Sequence, residues 1–86
     1  MDPNQCGLMA RIAMSQGNFI EALNLISMAL RQIPPDLINT PFGAPFIADR
    51  AECFWQLGDA EEAANNMMIA ISNGLPDDAA NSEVKF

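Results

Sequence analysis

The sequence predicts an all-α domain made of two antiparallel helix-turn-helix units, four helices in all. Glycines and prolines recur with helix-capping residues placed beside them, and the second half of the chain repeats the punctuation of the first. No segment alternates apolar and polar residues over strand length between hairpin turns. With 86 residues, the chain has room for one core. Being 50% apolar and 17% charged, it is too apolar to be intrinsically disordered despite a net charge of -7.

The first helix opens at Asp2-Pro3-Asn4-Gln5, where Asp2 caps, Pro3 suits the first turn and Gln5 closes a capping box. It runs to about Gln16, and Gly17 supplies the left-handed residue that ends it. Asn18 and Glu21 form a second box, starting a helix that runs to about Gln32. Pro34-Pro35 stop it, because proline donates no backbone hydrogen bond and disfavours helix in the residue before it. Residues 33–44, with three prolines and Gly43, read as a loop. The third helix spans about 45–57 with Pro45 in its first turn, and Gly58 closes it. Asp59-Ala60-Glu61-Glu62 makes a third box, and the fourth helix ends near Asn73-Gly74 before Pro76. Residues 78–86 read as a frayed tail.

Gly17-Asn18-Phe19-Ile20-Glu21-Ala22 and Gly58-Asp59-Ala60-Glu61-Glu62-Ala63 align without gaps at an offset of 41 positions, and Ala29-Leu30 matches Ala70-Ile71 at the same offset. Ala10, Gly17, Phe19, Ala22, Ala29 and Pro34, followed by Ala51, Phe54, Gly58, Ala63 and Ala70, carry small, turn, aromatic and proline residues at signature spacing. In these positions the chain resembles the tetratricopeptide repeat family, whose unit is about 34 residues. The resemblance places repeats at 3–36 and 44–77 around an insert at 37–43, in one domain over residues 1–86. It implies four helices stacked as a short right-handed solenoid. Asp49-Arg50-Ala51 with Leu57-Gly58-Asp59 resembles the second repeat of co-chaperone modules.

Alanines seven apart, Ala22 with Ala29 and Ala63 with Ala70, share one helical face and let neighbouring backbones approach closely. Leu23, Ile26, Leu30, Phe54, Met67 and Ile71 are expected to fill the core between helices. Cys6 and Cys53 lie far apart inside helical patterns and read as buried thiols, and the methionines read as core filler or, alternatively, as an adaptable association surface.

The resemblance implies a non-enzymatic protein-protein interaction module holding a partner's peptide or helix in a concave groove. That groove would display Arg11, Met14 and Ser15 beside Ala48, Glu52, Trp55 and Gln56. Trp55 sits about 100° around the helix from Phe54, off the core face, where it either anchors a ligand or packs under the tail or insert. The co-chaperone clamp for a chaperone's terminal carboxylate is disfavoured. Gly7, Arg11 and Asp49 replace its lysine and two asparagines, and an aspartate repels a carboxylate.

Apolar residues outside the core stripe, Ile20, Leu25 and Met28 on the second helix and Met68 and Ile69 on the fourth, exceed what one buried face needs. No polar capping element covers the last unit, so a second reading is a scaffold that self-associates through the fourth helix, a homodimer for example. Val84 and Phe86 of the tail are an alternative lid. A third reading is a small secretion-type chaperone shielding an apolar helix.

The chain contains no histidine, no P-loop, no CxxC and no apolar run long enough to span a membrane. No cofactor or metal site is expected, and an enzyme is not expected. Residues 1–35 balance two acids with two bases, whereas 36–86 carry nine acids against Arg50 and Lys85. That acidity disfavours nucleic acid and anionic membrane. The start lacks the basic region of a signal peptide, so a cytoplasmic protein is expected.

Overall fold

The structure, a computed structural model, describes residues 2–74. They form five helices: α1 (Pro3–Ser15), α2 (Phe19–Gln32), α3 (Pro35–Ile38), α4 (Ala44–Gln56) and α5 (Ala60–Ser72). No strand occurs among the described residues, and the protein is all-α. The frayed tail, with Val84 and Phe86, lies outside them.

Local chemistry sets the helix ends. At α1 the box is complete: the Gln5 N–H donates to Asp2 Oδ1 at 2.8 Å, and the Asp2 N–H donates to Gln5 Oε1 at 3.1 Å. Asp59 accepts from the Glu62 N–H at 3.2 Å at the start of α5. The box expected at Asn18 differs, because its side chain makes no capping bond. There the turn does the work: Gly17 takes φ +80°, and the Asn18 N–H reaches back to the Ala13 carbonyl at 2.8 Å. Gly58, at φ +89°, lets the Asp59 N–H reach Phe54 O in the same way.

The segment expected to be a loop throughout contains α3. Pro35 presets the first helical φ, and the Leu37 N–H closes a turn on Pro34 O at 2.8 Å. Thr40 then donates its hydroxyl to Leu37 O and accepts from the Phe42 N–H, which turns the chain into α4. Ile38 holds the segment down by packing against both core clusters.

α1 packs against α2 and α4 against α5, and α2 joins the two pairs by packing on α4. Ala10, Ala22, Ala29, Ala51, Ala63 and Ala70 are all 0% exposed, so the close-approach positions are where the backbones meet. The first cluster gathers Cys6, Ile26, Ile33, Phe46 and Cys53; the second gathers Ile47, Ala48, Ala51, Met67 and Ala70. Leu30 and Ile38 touch both.

Of the expected core, Ile26 and Met67 are buried, and Leu23, Leu30 and Phe54 are half-buried. Ile71 is the correction: it is 38% exposed, because among the described residues no helix follows α5 to cover that face. Both cysteines are buried and unbridged, as expected. The described methionines divide, with Met67 buried, Met14 half-buried, and Met9, Met28 and Met68 exposed.

Candidate functional site

Residues of α1 and the N-terminal half of α4 line a cleft of about 440 Å³, with the turn before α4 forming its third side. Leu8 and Arg11 line it from α1, Pro41 and Phe42 from the turn, and Phe46 and Asp49 from α4. Gly7 lies on the α1 wall, against Phe46. A side chain there would place its Cβ 2.8 Å from Cε1 of Phe46, so only glycine lets that ring lie against α1. Gly43 has a parallel role at the start of α4, where any Cβ would collide with the Ile38 carbonyl.

The floor is aromatic. Phe46 is buried, Phe42 is 48% exposed, and their ring centroids stand 6.3 Å apart with planes tilted by 54°. The apolar surface the pair leaves accessible is mainly that of Phe42, backed by the buried Phe46 ring. At the α4 wall the Arg11 Nε–H donates to Asp49 Oδ2 at 3.0 Å, with side-chain exposures of 62% and 15%. The cleft therefore offers apolar contact area bounded by one ion pair.

A second depression of about 410 Å³ lies where α2, α4 and α5 meet, lined by Leu23, Ser27, Arg50, Phe54, Glu62 and Asn66. Two hydrogen bonds run among its polar groups. The Arg50 Nε–H donates to Asn66 Oδ1 at 2.6 Å, and Asn66 Nδ2 donates to the Glu62 carbonyl at 2.8 Å. Burial lowers the Arg50 pKa, and the nearby Glu62 carboxylate opposes that shift. The Arg50–Asn66 bond crosses from α4 to α5, and the Asn66–Glu62 bond orients the Asn66 amide within α5.

The residues expected to form the groove are not brought together as a set. Arg11 lines the cleft, but Met14, Ser15, Glu52, Trp55 and Gln56 do not. Met14 packs half-buried against the first core cluster, and Ser15 donates its hydroxyl to Ile12 O at 2.7 Å. Glu52 accepts from Gln56 Nε2 at 3.0 Å, and Ala48 is buried. Trp55 is 40% exposed in the last turn of α4. The open space sits at the other end of the helix pair, because Phe42 and Pro41 arrive there from the insert. Phe42 carried a legible signal, an aromatic in a proline-rich stretch beside Gly43, as did Leu8, which lies off the core stripe.

Among the described residues no group of three or more Cys, Asp or Glu is placed to hold a metal ion. Among them, no helix is long and apolar enough to cross a membrane. No family profile, curated protein or solved structure matches the chain.

Proposed function

We propose that the chain is a non-enzymatic binding module that holds an apolar peptide or helix of a partner protein in the cleft between α1 and α4. The observation that carries this reading is the exposed Phe42 ring, backed by the buried Phe46 in a cleft of ligand-sized volume. The paired packing of the helices and the buried alanines support the resemblance to tetratricopeptide repeats, from which the concave groove was expected. The Arg11–Asp49 ion pair argues against a carboxylate-ended tail as the ligand, since an incoming carboxylate meets one already bound to the arginine. A secretion-type chaperone is the same binding reading with an exported subunit's apolar helix as cargo.

The test is selection of a displayed peptide library on the whole chain, followed by titration of enriched peptides against variants. Peptides with apolar anchors should bind, and Leu8→Glu or Phe42→Glu should weaken them about tenfold or more, about 1.4 kcal/mol. Trp55→Ala should leave them unchanged. Enriched peptides indifferent to Phe42→Glu and Leu8→Glu would place the site elsewhere.

A second reading is favoured by a separate observation. Met68 is 67% and Ile69 43% exposed on α5, so the protein also reads as a scaffold that self-associates through that helix.

A further inference from the structure

Two apolar faces remain outside the packing described above, and the internal repeat relates each to a contact already made within the chain. On α5, Met68 and Ile71 are 67% and 38% exposed. At the offset of 41 they correspond to Ser27 and Leu30 of α2. Those α2 residues face the second helix pair: Leu30 packs against the Ile47–Met67 cluster, and Ser27 borders the same depression as Arg50 and Phe54 of α4.

The receiving side shows the same relation. Met9, Ile12 and Ala13 of α1 correspond to Arg50, Cys53 and Phe54 of α4. Met9 is 44% and Ile12 50% exposed, and with Ala13 and Leu25 they line a shallow depression of about 170 Å³ on the outer side of α1 and α2. One exposed face is thus the counterpart of the surface α2 offers, and the other of the surface α4 presents to it.

Charge selects the pairing. In the first helix pair with its cap, Arg11 and Arg31 balance Asp2 and Glu21; in the second with its cap, Arg50 against Asp49, Glu52, Asp59, Glu61 and Glu62 leaves -4. Joining α5 to α5 brings two negative helix pairs together, whereas joining α5 to α1 sets a negative pair against a neutral one and avoids that repulsion.

We propose that a second copy of this chain is the occupant of both faces, docked head to tail. Met68 and Ile71 of one copy stack on Met9 and Ile12 of the next, continuing between chains the packing of α2 on α4 within one. This rests on the self-association reading and supplies the mate that α5 meets. Such an interface is heterologous, so copies add in series and assembly does not stop at two unless a ring closes.

Light scattering on a size-exclusion column, over a hundredfold concentration range at low salt, tests it on the full chain and two variants. The first variant, Met9→Glu with Ile12→Lys, blocks α1; the second, Met68→Glu with Ile71→Lys, blocks α5. All four side chains are exposed, and unchanged far-ultraviolet circular dichroism verifies that each variant folds. The wild-type mass should climb past a dimer with concentration, each variant alone should be a monomer, and a 1:1 mixture should form a dimer and stop. A monomeric mixture overturns the proposal. If the α1 variant alone still dimerises, α5 pairs with itself, and the head-to-tail mode falls while self-association stands. A wild type that stays monomeric throughout overturns both.

Discussion

Cys53 has no exposed surface, and burial, reinforced by the Asp49 and Glu52 carboxylates, pushes its thiol from the ordinary 9.0 up to about 11. The folded state therefore keeps a proton that the unfolded chain gives up first. Stability from this group is fully present below pH 9.0 and is lost as pH rises through about 11. Urea midpoints measured from pH 8 upward should stay flat and then fall across that window, and Cys53→Ala should remove much of the fall. With no tyrosine and a single lysine in the sequence, few other groups titrate there. The burial of both cysteines was legible because each sits in a helical apolar pattern. The carboxylates flanking Cys53 were legible as neighbours on the same helix, but their electrostatic weight depends on how deeply α4 is packed.

Helix boundaries were the most legible level, because caps and left-handed glycines are decided within four or five residues of chain. The expected ends of α1 and α2 fall within a residue of Ser15 and Gln32, and α4 starts one residue earlier than Pro45. α3 was missed because a single turn has no apolar period to read; Ile38 is held by contacts with both distant clusters. Close approach between elements gives a direct test. Ala22→Leu and Ala63→Leu insert bulk where exposure is 0%, and each should lower stability by about 1 to 3 kcal/mol, measured by chemical denaturation. An unchanged midpoint for both would mean that the helix pairs do not meet at these alanines.

At the scale of the whole molecule, the pairing of helices followed from the repeat, whereas the position of the open cleft did not. The cleft lies beside Leu8 and Phe42, away from Trp55, and the insert, which has no counterpart in the repeat, lines it through Pro41 and Phe42 next to Pro45 and Phe46 of α4. Sequence spacing within a helix says nothing about where a seven-residue insert comes to rest. The insert also has a consequence for how the protein melts. Helical repeats couple only to their neighbours, so two pairs joined mainly by α2 on α4, with a smaller contact of α1 on α4, are prone to unfold in steps. Ile38, with Leu30, is shared by both clusters and ties the loss of one to the loss of the other. Calorimetric and van't Hoff enthalpies should agree for the wild type and diverge for Ile38→Ala, with the transition broadening. The connector is then a cooperativity element, and the two repeats become a single thermodynamic unit.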